Sequence, residues 1–130
     1  PVTAIGSDGP VGEFGVGSPH PRQYGTFARV LGHYVRERGV LELEDAIRKM
    51  TSLTSQRLGI HDRGLIVEGY FADIAVFDAD EIIDRATFED PHQYAKGIKF
   101  VLVNGEVVVK DGRHTGKRPG KIIYGVGYSN

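Results

Sequence analysis

The hydrophobic period of this chain changes once, at Gly59, and that change limits the fold more than any other feature. Before it, apolar residues recur at helical spacing; after it, they run or alternate as strands do. Within residues 23–38, Phe27, Val30, Leu31, Tyr34 and Val35 fall at i, i+3, i+4, i+7 and i+8, one face of a helix. Arg29, His33, Arg36 and Glu37 lie off that stripe, and Gly39 can end the helix. A second helix is predicted over residues 43–53, striped by Leu43, Ala46, Ile47, Met50 and Leu53. Its Glu44 and Asp45 suit a first turn, and Arg48 and Lys49 lie nearer the end that favours positive charge. A short third helix is predicted over residues 55–58. Residues 72–78, "ADIAVFD", read as a strand, and residues 100–112 as two strands around Asn104-Gly105. Asn-Gly between apolar runs marks a hairpin, because both residues accept the positive φ of a type I′ turn. Residues 80–94 read as an irregular excursion with a helical turn near 82–86, and residues 121–124 as one more strand.

Composition narrows the class. At 130 residues, with 40% hydrophobic and 25% charged residues, the chain has the makings of one soluble domain or a piece of a larger one. Sixteen basic and 17 acidic residues are well mixed, which gives no electrostatic case for nucleic acid or an anionic membrane. With no cysteine, disulfides and thiolate metal sites are excluded within these residues, and the compartment is left undecided. No apolar run approaches a transmembrane length, and the first residues lack the layout of a signal peptide. The one methionine is Met50, so the expectation is a processed chain or a fragment.

Two stretches near the start invite a chemical reading. "AIGSDG", residues 4–9, takes a small apolar run into a lone acid, Asp8. As a structural element it is a turn, since Asp bonds its own backbone and Gly accepts positive φ. As a functional one it is an acid at a strand's carboxyl end, where α/β barrels hold their chemistry. Residues 6–25 then carry six of the 18 glycines and three of the six prolines, a long loop of the functional or mobile kind. Its glycines follow neither the dinucleotide spacing nor a phosphate loop, so phosphate binding is rejected.

"GYFADIAVFD" followed by "VLVNGEVVVKDG" resembles the closing β-segment of the amidohydrolase superfamily. Within it, "SPHPRQYGTFARVLGHYVRE" and "DRATFEDPHQY" are similar to the N-acyl-D-amino-acid deacylases, or D-aminoacylases, over residues 5–123. The resemblance is to the last quarter or so of such an enzyme. It implies an α/β fold. Residues 1–60 would be the end of a metal-dependent (β/α)₈ barrel, its last strand, glycine-rich loop and following helices. Residues 61–130 would be the C-terminal part of a small β-sandwich. It also implies that "AIGSDG" is the eighth barrel strand and that Asp8 is catalytic. In the family that acid faces a zinc-bound water, takes its proton as it attacks the N-acyl carbonyl, and passes it to the leaving amine.

The implied cofactor is zinc in the full-length enzyme, and the implied partner is a small-molecule N-acyl-D-amino acid, with a cytoplasmic location. The family's ligands would lie upstream. None of His20, His33, His61, His92 and His114 pairs as His-x-His or at i, i+4, so no metal residue is expected in this chain. His33 reads as a solvated helix residue, and His61, His92 and His114 as loop residues. Arg22 and His20, in "HPR" at the loop's end, are the candidate substrate-binding residues. A planar guanidinium can clamp the carboxylate of a D-amino acid through two parallel bonds. The structural alternative for Arg22 is an arginine at a helix start, paired with a surface acid. Tyr24 and Phe27 read as packing. Thr54 and Ser55 stand where the family pattern suggests Pro-Ala, and the loop's glycines depart from many relatives, which leaves substrate preference open.

The isolated chain is expected to be inactive. Its first strand would have open edges, so residues 1–22 would be disordered or held by a second copy, with self-association possible. The alternatives are another amidohydrolase, hydantoinase-like or dihydroorotase-like, or a non-catalytic module of helices and sandwich that binds a partner.

Overall fold

The structure, a computed structural model, describes residues 3–125 and 127–128. Helix α1, Arg22–Arg29, runs straight into π-helical turns over Val30–Glu37, followed by α2, Leu43–Met50, and α3, Ser52–Leu58. In the wide turns Arg38 N–H reaches five residues back to His33 O at 2.9 Å. The helix expected over 43–53 is broken at Thr51, whose φ of −131° and ψ of −95° lie outside the helical region. Its hydroxyl donates back to Ile47 O at 2.7 Å, the local competition that makes Thr a poor helix interior. Helix α3 therefore starts three residues before its predicted limit and stops, as expected, at left-handed Gly59 with φ +69°. No helix among the described residues is long and apolar enough to cross a membrane.

The second half is a four-stranded antiparallel sheet in the order β1-β2-β3-β4. Its strands are β1, Ile74–Phe77; β2, Ile98–Val103; β3, Glu106–Lys110; and β4, Arg113–His114. Asn104 (φ +48°) and Gly105 (φ +81°) form the predicted hairpin turn. Arg63 ties it to the start of β1, which lies beside it. It bonds Asp73 and Asn104 Oδ1 while its guanidinium lies 4.3 Å from the Phe71 ring centre. Strand β3 was expected to run to Gly112, but Asp111 and Gly112, at φ +49° and +74°, make a second turn that returns the chain as β4. Residues 121–124 form no strand.

The excursion also differs from expectation. The chain turns at Asp78, whose C=O accepts Ile82 N–H at 2.9 Å, and residues 82–86 are then not helical. Ile83 pairs with Lys96 as a β-bridge. This places Ile82, 1% exposed, in the middle of a core with Ala28, Val30, Leu31 and Ala46.

The predicted stripe is only partly buried, because Phe27 and Tyr34 remain 45% and 42% exposed. Gly25, Ala28 and Gly32, at i, i+3 and i+7, form the face that meets the excursion. A Cβ on Gly32 would stand 2.3 Å from Ile82 O. Small residues let the backbones touch, yet they add nothing to a hydropathy pattern.

Residues 3–5 form no strand, and Val2 lies outside the described residues. A strand needs a neighbour, and among the described residues this segment meets a helix instead. Ile5 N–H donates to Lys49 O at 3.1 Å, and Lys49 Nζ donates to Thr3 O at 3.1 Å.

Candidate functional site

The two ends of the glycine-rich loop meet. Asp8 Oδ2 lies 2.9 Å from Arg22 Nη2, so the acid and the base singled out in the sequence form one ion pair. The acid partner suggested by the structural alternative for Arg22 is thus Asp8 itself. Asp8 sits at φ +48°, a left-handed conformation that Asp tolerates better than most residues. The next residue cannot carry a side chain cheaply: a Cβ on Gly9 would come within 3.0 Å of Gln23 Cα. That close approach seats the start of the loop on the first turn of α1, beside Arg22. Both charged side chains are open, 86% exposed at Asp8 and 44% at Arg22. Such a pair adds about 0–1 kcal/mol to stability, so either member can exchange its partner for a ligand at little cost.

His20 joins this corner through bonds to the backbone of α1. Its Nδ1 accepts the Arg22 backbone N–H at 3.0 Å, and its C=O accepts Gln23 N–H at 3.0 Å. Both bonds satisfy donors that the first turn of a helix leaves unpaired. The ring meets Phe88 edge-on at 4.9 Å. A groove of about 470 Å³ opens next to it, lined by His20, Arg22, Arg29, Tyr34, Asp84 and Phe88. Within it Arg29 Nη1 bonds Asp84 Oδ2 at 3.1 Å, and that bond raises the arginine's pKa against the opposing effect of burial. Arg22 is therefore the more exchangeable of the two guanidinium groups here, since its acid partner is far more exposed than Asp84 at 11%.

His33 pairs with Glu37 at 2.9 Å on the helix surface, as a solvated residue would. His92 does more than the loop reading allowed. It reaches across the sequence to Gly15, Gly17 and Tyr24, in an aromatic cluster with Phe14 and Tyr94. Loop 9–22 therefore has a partner within the chain, where none was expected. The only hint in the sequence was the pair of aromatic rings in "DPHQY", which carries no periodic signal. Among the described residues no group of three or more His, Cys, Asp or Glu could hold a metal ion.

The amidohydrolase family model matches residues 2–109. A D-aminoacylase of Alcaligenes xylosoxydans xylosoxydans is 49% identical over 122 residues, which is 93% of this chain and 24% of that protein. A crystal structure of D-aminoacylase, described as defining a novel subset of amidohydrolases, superposes with a TM-score of 0.82 at 50% identity. It covers 88% of this chain and 24% of its own. An N-acyl-D-glutamate deacylase from Bordetella bronchiseptica, solved with zinc and a phosphonate mimic of the tetrahedral intermediate, superposes with a TM-score of 0.69. Its identity is 46%, over 75% of this chain and 21% of that one. The chain thus spans about a quarter of the length of the relatives it matches. With 108 of its 130 residues inside the family model, the chain belongs to the amidohydrolase family.

Proposed function

We propose that residues 1–130 are the closing quarter of a zinc-dependent N-acyl-D-amino-acid deacylase. In this reading residues 1–60 end the catalytic barrel and residues 61–130 contribute to a β-sandwich beside it. The observation that carries the proposal is the exposed Asp8–Arg22 pair at 2.9 Å, a proton carrier and a carboxylate clamp side by side. The likeness to deacylases supports it. Among the described residues no cluster of donors fits zinc, and in this reading the metal's ligands come from residues outside this stretch.

Substrate binding replaces one anion with another. The α-carboxylate of the N-acyl-D-amino acid takes the Arg22 guanidinium through two parallel hydrogen bonds. Asp8 is then freed to accept a proton from the attacking water. It delivers that proton to the amide nitrogen, which is a poor leaving group until protonated. His20 holds the first turn of α1, and with it the base of the Arg22 side chain. The groove beside Arg22 and Phe88 is the candidate for contact with the substrate's variable part.

Arg22→Lys in the intact enzyme tests the clamp. An ammonium group is a point charge and cannot reproduce the guanidinium fork. KM for acids is expected to rise about tenfold, the scale of one charged hydrogen bond, and KM for the matching amides much less. Equal effects on acids and amides would remove Arg22 from the site.

The purified 130-residue chain is expected to hydrolyse no N-acetyl-D-amino acid and to bind no stoichiometric zinc. One exposed carboxylate has neither a metal-activated water to deprotonate nor a cluster of donors around it. Turnover by this chain alone would sink the proposal.

A further inference from the structure

We propose that His92 is a positioning residue, a latch that holds the glycine-rich loop and sets the span between Asp8 and Arg22. Its value to catalysis rests on the deacylase reading, whereas the latch itself does not.

Both ring nitrogens are engaged by the loop or by α1. His92 Nδ1 accepts the Gly15 N–H at 3.1 Å and the Tyr24 hydroxyl at 3.1 Å. His92 Nε2–H donates to Gly17 O at 3.0 Å. Together these bonds require the neutral ring with its proton on Nε2. Gly15 and Gly17, at φ +83° and +71°, take backbone conformations that side chains resist, and they turn the N–H of one and the C=O of the other toward the imidazole. Phe14 closes the arrangement. It stacks on Tyr94 at 4.8 Å and meets His92 and Tyr24 edge-on at 5.6 and 5.9 Å.

The geometry ties three separate parts of the chain. The loop begins beside Asp8, Tyr24 lies two residues after Arg22 on α1, and His92 comes from the excursion between β1 and β2. Thirteen residues separate Asp8 from Arg22, a length at which an untied loop samples many conformations. Ordering each residue costs about 1–2 kcal/mol. With the latch closed that cost is met in folding. Without it, the substrate has to order the loop as it binds, and the loss falls on KM before kcat.

The test compares His92→Leu with His92→Gln in the intact, zinc-loaded enzyme. Leu fills the space without polar atoms, whereas the Gln amide can accept from Gly15 and donate to Gly17. In His92→Leu the Gly15 amide is expected to exchange with solvent about tenfold faster, and KM for an N-acetyl-D-amino acid to rise about tenfold with a smaller change in kcat. His92→Gln is expected to restore most of both. Unchanged exchange at Gly15 in His92→Leu would overturn the latch. Faster exchange with an unmoved KM would overturn its role in setting the span. If His92→Leu fails to fold, Tyr24→Phe removes a single hydroxyl and is expected to move exchange and KM in the same direction by less. No movement in that variant also counts against the latch. A wild-type enzyme that hydrolyses no N-acyl-D-amino acid would defeat the deacylase reading, and the exchange result would still decide whether His92 holds the loop.

Discussion

Asp8→Asn in the intact enzyme is expected to lower kcat by about 10²–10⁴, the contribution of a positioned acid-base, while KM and zinc content stay near wild type. The substitution changes very little else. Asn is as tolerant as Asp of the left-handed backbone, so φ +48° at this position survives. Its volume is the same, and Gly9 keeps its approach to Gln23. The ion pair to Arg22 becomes an ordinary hydrogen bond, which at 86% exposure of the acid barely alters stability. What disappears is a group that accepts and returns a proton. Equal falls in kcat and kcat/KM would identify an interaction made only in the transition state. Asp8→Ala would lose the backbone preference as well, so the Asn variant is the cleaner probe. Near-normal turnover in Asp8→Asn would return the residue to the role of a turn former.

The parts of this fold that were legible are those written in local chemistry. Asn104-Gly105 specifies its own hairpin, and Gly59 its own helix stop, because each needs a positive φ that few residues accept. Asp111-Gly112 carries the same signal, but it lies inside an apolar-looking run, which hides β4. Asp8 and Arg22 were readable as candidates one at a time. That they touch depends on Gly9 pressing against Gln23, a contact between backbones that no side-chain pattern announces. His92 lies 75 residues beyond Gly17, and a tie of that length leaves no trace in spacing. The helix break at Thr51 was hidden for another reason. The apolar stripe continues through it to Leu53, and the side-chain hydrogen bond that accompanies the break does not alter hydropathy. The small-residue face of α1 was invisible too, since glycine and alanine mark close packing by what they lack.

That face sets the last expectation, a loss of stability when its partner is removed. Ile82→Ala should destabilise the fold by about 2–5 kcal/mol, the range for emptying a buried aliphatic site. Ile82 is the largest fully buried side chain described, and its neighbours leave it no room to relax. Gly32 presses on its carbonyl from one side, and a Cβ on Gly97, itself at φ +89°, would stand 2.7 Å from its Cα on the other. Arg36 Nη1 holds the same carbonyl at 2.7 Å, so the backbone cannot drift inward to fill the space. Gly32→Ala attacks the contact from the opposite direction. On propensity alone that change should stabilise a helix by about 1 kcal/mol. The clash with Ile82 O outweighs it, and overpacking of this kind costs about 1–3 kcal/mol. The sign therefore separates the two effects. Because the clash is with a backbone oxygen, cutting Ile82 back to Ala should not rescue Gly32→Ala, and the double variant should be less stable than either single one. Urea unfolding of the three variants in the intact enzyme measures this. A double variant as stable as Ile82→Ala alone would mean that α1 and the excursion move apart freely, and that the close approach of their backbones holds nothing in place.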